Sequence, residues 1–184
     1  MTPKSHFNLV VIGGGAAGFF GAINAAQLNP DLRILILEKS TKLLAKVKVS
    51  GGGRCNVTHH CFEPAPLSKH YPRGQKELKK LFYQFNAADT VTWFESRGVK
   101  LKTEVDGRMF PQSNNSQTII DCFLREAEKY AVEIKTGCEV TRIEKTATHF
   151  KVTSKDQSFT ANKILVATGG YTKPENYARL SELK

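Results

Sequence analysis

Apolar residues fall in short blocks separated by polar and glycine-rich punctuation. Phe7–Ile12 (FNLVVI) is almost wholly apolar, and Leu32–Leu37 (LRILIL) is a second such run. Between them stand Gly13–Gly18 (GGGAAG) and a stretch, Phe19–Leu28, that reads as helix and ends at Asn29-Pro30. Strand, glycine turn, helix and strand in immediate succession predict a βαβ unit. Nearly continuous apolar strands suit a parallel sheet covered on both faces.

Further along, the pattern loosens and then recovers. Residues 39–73 hold Ser50-Gly51-Gly52-Gly53 and prolines at 64, 66 and 72, which predicts mostly irregular structure. Helices are expected at 77–85 and 90–97, the second stopped by Gly98. A strand at 99–103, a turn at Asp106-Gly107 and a return strand at 108–110 follow. Over Ser116–Tyr130, Ile119, Ile120, Phe123, Leu124 and Ala127 share one helical face. The remainder reads as β: a strand at 132–135, a turn at Thr136-Gly137, alternating strands at 139–144, 150–154 and 158–161, and a buried strand at 163–167 (KILVA). The expected fold is α/β and Rossmann-like. Strands 7–12, 32–37, 132–135 and 163–167 form one parallel sheet, and 139–161 is an antiparallel meander crossing over it.

Composition narrows the class. With 40% hydrophobic and 24% charged residues the chain can bury a core, which excludes a collagen-like or disordered polymer. The longest apolar candidate for a membrane span, Leu9–Ile23, is interrupted by five glycines, and the same glycines make it a poor signal peptide. The four cysteines (55, 61, 122 and 138) form no Cys-x-x-Cys and read as reduced cytoplasmic thiols. Cys55, His59, His60 and Cys61 lie close in sequence, but their spacing fits no zinc motif, so no metal is expected.

Charge raises a second possibility. The formal balance is +10, and between Lys42 and Lys80 nine cations face only Glu63 and Glu77. Such a stretch suits a phosphate-bearing ligand, an RNA, or simply a solvated face.

The chemistry-bearing motifs are two. Gly13-x-Gly15-x-x-Gly18 follows a strand and opens a helix. There the first glycine permits the turn, the second lets backbone approach a pyrophosphate, and the third lets helix and strand pack closely. Glu38 stands at the end of the second strand, where a carboxylate binds both ribose hydroxyls of an adenosine and disfavours a 2′-phosphate. This unit does not separate NAD from FAD. The second motif, Ser50-Gly51-Gly52-Gly53-Arg54-Cys55-Asn56, implies close backbone approach to a ligand, with Arg54 available to a phosphate or to a reduced flavin's charge.

GGGAAG with Glu38-Lys39, KVSGGGRCNVT, DGRMFPQSNNSQTIID and ILVATGG together resemble the BaiN-type, or aminoacetone-oxidase-type, family of NAD(P)/FAD-dependent oxidoreductases. The resemblance runs from about Asn8 to Gly170. It implies FAD as cofactor and two-electron flavin chemistry on a small molecule, with NAD(P)H a candidate electron donor. Membrane and nucleic acid are not expected as partners. By the same resemblance the FAD would touch Gly13, Gly15, Ala16, Ala17, Gly18, Glu38, Lys39, Ser50 to Asn56, Val140 through its backbone, and Ala167, Thr168 and Gly169 at the returning strand end.

Members of that family are about twice as long and continue into a second domain over the flavin. Residues 1–184 are therefore expected to form a partial FAD-binding domain, with a loop and helix insertion at 39–115 and the meander at 138–161, and to be inactive alone. The alternative is a non-catalytic nucleotide- or RNA-binding module using residues 42–80. No catalytic acid or base is assigned. His59, His60 and His70 are candidates for substrate protonation, and Cys55 is read as a packed thiol more than a redox partner.

Overall fold

A computed structural model describes residues 6–170. The chain divides into two compact units, one holding residues 1–45 with 123–184, the other residues 46–122.

The first unit is built on a six-stranded sheet. Its strands are β1 (His6–Ile12), β2 (Ile34–Leu37), β6 (Glu133–Lys135), β7 (Val140–Lys145), β8 (Phe150–Ser154) and β9 (Ser158–Val166), in the order β6-β2-β1-β9-β8-β7. The four strands β6, β2, β1 and β9 are parallel, as the apolar runs predict. β7, β8 and β9 form the expected antiparallel meander. The strands expected at 158–161 and 163–167 are one continuous strand. Ala161 pairs with Phe7 on one side and Phe150 on the other, so β9 joins the meander to the parallel sheet. Asn162 and Lys163 look like a polar break in sequence but are simply exposed positions within the strand.

Helix α1 (Ala16–Leu28) covers this sheet. It buries Phe19, Ala22, Ile23 and Ala26 at the 3–4 residue spacing of one helical face. Phe19 meets Phe123 of α6 (Gln117–Lys129) at 6.0 Å between ring centroids. All four residues of β2 are buried, which explains the lack of alternation in its sequence.

The second unit corrects the expectation of irregular structure at 39–73. Ala45–Gly53 begins as helix (α2), Thr58–His59 forms a short strand (β3), and Pro64–Lys69 is a helix (α3). Pro64 starts α3 where its missing N–H has no intrahelical partner to lose, so this proline opens structure instead of breaking it. Helices α4 (Gln75–Phe82) and α5 (Ala87–Glu95) begin earlier than the apolar pattern suggests. For α5 the cause is a capping box: Asn86 Oδ1 accepts from Ala88 N–H at 2.7 Å, and the Asp89 carboxylate accepts from Asn86 N–H at 2.7 Å. Strands β4 (Leu101–Thr103) and β5 (Arg108–Pro111) form the expected hairpin, and β3 extends it to the order β3-β5-β4.

Candidate functional site

The glycine turn between β1 and α1 is shaped by close contacts on nearly every side. Gly13 has φ of 117°, and a side chain there would strike the Ala167 carbonyl. A Cβ at Gly18 would strike the Gly13 carbonyl. Gly14, a variable position in the motif, is also crowded, though by side chains and not backbone: a Cβ there would lie 2.8 Å from Leu43 Cδ2 and 2.9 Å from Glu38 Cβ. Sequence spacing gave no signal for this, because Leu43 reaches the turn only through the loop after β2.

Gly15 differs. A Cβ there would meet nothing within 4 Å, and its φ of −92° suits any residue. It caps α1 with no side-chain hydrogen bond, and Ala16 and Ala17 beside it are exposed. An α-helix leaves its first N–H groups without intrahelical partners and carries partial positive charge at that end. Open space in front of an uncapped helix start fits a pyrophosphate, and the residues present are those such a group needs.

Glu38 closes the other side of the turn. Gly14 N–H donates to Glu38 Oε2 at 2.8 Å, and Ser40 N–H donates to Oε1 at 2.9 Å. The carboxylate therefore holds the turn as well as offering its remaining lone pairs outward. Burial raises its pKa, but the donors from Ser40 and Gly14 and the charge of Lys39 outweigh that and hold it below the ordinary carboxylate value. Leu44 N–H donates to the Gly14 carbonyl at 2.9 Å, so the segment after Glu38 lies along the glycine turn. Lys39 is exposed.

Two further elements converge here. Ala167 N–H donates to the Ile12 carbonyl at 2.8 Å, which sets Ala167 and Thr168 against Gly13; Gly169 follows with φ of 76°. Cys138 N–H donates to the Glu38 carbonyl at 2.9 Å and Gly137 N–H to the Ser40 carbonyl at 3.0 Å. The turn before β7 is thereby fixed to the end of β2, and Val140 starts β7 two residues beyond Cys138. The first unit thus gathers the glycine turn, Glu38, Lys39, the Val140 strand start and the Ala167–Gly169 end into one constellation.

The Ser50–Asn56 segment belongs to the second unit. Gly51, Gly52 and Gly53 all have positive φ (55°, 68° and 84°), as does Cys55 (62°). The helical rise of α2 ends at this left-handed run. Ser50 Oγ donates to the Val47 carbonyl at 2.9 Å, and Cys55 N–H to the Ser50 carbonyl at 3.0 Å. Ser116, fully buried, pins the segment from outside: its N–H donates to the Gly53 carbonyl and its Oγ to the Lys48 carbonyl, both at 2.8 Å.

Arg54 is engaged within the unit. Its Nη1 lies 2.5 Å from Glu104 Oε1, and its guanidinium stacks 4.0 Å from the Phe110 ring centroid. Asn56, with its amide turned to satisfy its neighbours, donates to the Thr58 and Met109 carbonyls. Cys55 is buried, and burial raises its thiol pKa despite a Ser50 hydrogen bond. A thiol in that setting is a packing group. His59 stacks on His70 at 5.3 Å and faces the Asp106 carbonyl through Nε2 at 3.1 Å, while His60 lies 3.3 Å from Thr103 Oγ1. Among the described residues no helix is long and apolar enough to cross a membrane.

Comparison with known proteins agrees with this geometry. The chain is 29% identical over 160 residues to a 3-dehydro-bile acid delta(4,6)-reductase of Clostridium scindens, covering 87% of this chain and 38% of that protein. It is 30% identical over 169 residues to a ribosomal RNA dihydrouridine synthase of Escherichia coli, covering 92% and 41%. The chain therefore spans about two fifths of the length of these curated relatives. A 3-ketosteroid-delta4-(5alpha)-dehydrogenase of Rhodococcus jostii has the same fold, with a TM-score of 0.66 at 13% identity, over 90% of this chain and 46% of that one. Residues 7–179 match the HI0933-like protein Rossmann domain, and the chain belongs to that family.

Proposed function

We propose that this chain is the FAD-binding part of a flavin-dependent oxidoreductase. The observation that carries the reading is the open, uncapped start of α1 at Gly15, flanked by the Glu38 carboxylate and the Ala167–Thr168 strand end. Residues Gly13 to Gly18 would hold the pyrophosphate, Glu38 the adenosine ribose, and the backbone at Val140 the adenine. FAD, when bound, supplies the two-electron redox chemistry, and the protein's part is to hold and orient it.

The names of the two relatives suggest the class of substrate. A delta(4,6)-reductase adds hydrogen across carbon–carbon double bonds, and a dihydrouridine synthase saturates the ring double bond of uridine. Reduction of a carbon–carbon double bond conjugated to a carbonyl group is common to both, and we assign the parent activity to that chemistry, with NAD(P)H as donor. Titration of the purified chain with FAD, followed by the quenching of flavin fluorescence, tests the cofactor assignment. Saturable binding that Gly15→Ala weakens about tenfold or more is expected; no binding, or binding indifferent to that change, overturns it.

A further inference from the structure

The dinucleotide reading makes no use of the surface formed by α3, α4 and the segments around them. Helix α4 buries none of its residues. At 100° per residue, Lys76, Lys79 and Lys80 share one side of it, and Leu78, Leu81 and Phe82 the other. Lys69 at the end of α3 and Arg73 in the connection extend the charge. All five cations are exposed, and none takes part in an ion pair among the described residues. Only Glu63 and Glu77 oppose them locally.

Charge of this kind is ordinarily a solvated face. What sets this one apart is the rings distributed through it. Phe62, Tyr71 and Tyr83 are 36%, 43% and 69% exposed, and Tyr71 is braced against Phe82 at 5.4 Å between centroids. Solubility requires no exposed aromatic rings, whereas an unpaired polynucleotide uses both features: cations for its phosphates and flat rings for its bases. A membrane surface fits less well. Helix α4 has only two turns, and of its apolar side Leu81 alone is well exposed, Leu78 and Phe82 being half-buried, which is a small area to insert.

We propose that the α3–α4 surface binds an unpaired nucleic-acid strand, with Lys76, Lys79 and Lys80 on its phosphates and Tyr83 stacked on a base. This goes beyond the flavin reading and does not depend on it. The test is fluorescence anisotropy of the 184-residue chain with a labelled oligouridine and a labelled oligodeoxythymidine, each about 16 nucleotides, a length within single-strand site sizes. Tighter binding of the first identifies RNA, and of the second DNA. Replacing Lys76, Lys79 and Lys80 together by Gln is expected to weaken binding tenfold or more and to flatten the log–log salt dependence by about 2, from three phosphates at about 0.7 each. Tyr83→Ala should weaken binding about fivefold or more and leave that slope unchanged. Arginine at the three lysine positions should restore affinity. The proposal is overturned if neither oligomer binds at about 50 mM salt, if the triple and Tyr83 variants bind as wild type, or if arginine fails to rescue. Tighter capture by phosphatidylserine vesicles than by either oligomer also overturns it, in favour of a membrane surface. FAD titration of the same variants separates the two readings: flavin binding should persist where nucleotide-strand binding is lost.

Discussion

At the residue scale, Gly15 and Gly18 make a matched pair of opposite kind. Alanine at Gly18 must displace the Gly13 carbonyl, a backbone atom, and is expected to cost about 1–3 kcal/mol of stability. Alanine at Gly15 meets open space at an ordinary φ, so stability should change by no more than about 0.5 kcal/mol. Its methyl group would instead stand where the pyrophosphate is placed, and dinucleotide affinity should fall about tenfold or more. Thermal unfolding and an FAD titration on both variants check this. A Gly15→Ala protein that unfolds early and binds normally would reverse the assignment. Glu38 carries a second test. Its carboxyl is held below the ordinary value in the folded chain, so its stabilisation is complete above the unfolded pKa, about 4.3, and is lost as pH falls through the lowered folded value. The stability difference between wild type and Glu38→Gln should therefore be constant from neutral pH down to about 5 and shrink below about 4. A difference that grows on acidification would mean the carboxylate does not hold the turn.

At the scale of elements, what could be read in the sequence was what depends on local pattern. The apolar blocks mark β1, β2 and, as two pieces, β9, and they mark a helix after the glycine turn, which begins at Ala16 instead of Phe19. Missing were features set by neighbours distant in sequence. Arg54 reads as a free cation for a ligand, but Glu104 and Phe110, some fifty residues on, occupy its guanidinium. Gly14 reads as a variable position until Leu43 is set beside it. The capping box at Asn86-x-x-Asp89, by contrast, is a local signal, and it starts α5 three residues before the apolar spacing does. Arg54 and the β4–β5 hairpin should be coupled as a consequence of that pairing. The two side chains are 34% and 26% exposed, so solvent screens them and a double-mutant cycle of Arg54→Ala with Glu104→Ala should give about 1 kcal/mol or less. Cys55, buried and with its thiol pKa raised, should label with iodoacetamide more slowly than the half-exposed Cys61 at neutral pH. Mass mapping of the labelled chain distinguishes the two.

At the scale of the whole molecule, the residues that the sequence motifs single out are divided between two compact units. The first unit holds the residues proposed for adenosine and pyrophosphate: Glu38, the start of α1, the Val140 strand and the Ala167 end. The left-handed Gly51–Gly53 run lies in the second unit and is held there by Ser116 and by the Arg54–Glu104 pair. ADP tests the first set alone, and a loss of FAD affinity without a loss of ADP affinity tests the expectation from the sequence motif that Ser50–Asn56 contacts the cofactor. Glu38→Ala should then weaken ADP and FAD alike, by about 1.5–3 kcal/mol for charge-assisted hydrogen bonds to the ribose. Gly52→Ala should behave differently. Its Cβ meets nothing within 4 Å, but φ of 68° strains any side-chain-bearing residue, so the loop shifts while the first unit is untouched. FAD affinity should fall and ADP affinity should stay at the wild-type value. Parallel calorimetric titrations of wild type, Glu38→Ala and Gly52→Ala with ADP and FAD decide the matter. If Gly52→Ala weakens ADP as much as FAD, the loop acts on the fold as a whole. If it weakens neither, the Ser50–Asn56 segment has no part in holding the cofactor, and the flavin site must be completed by other residues.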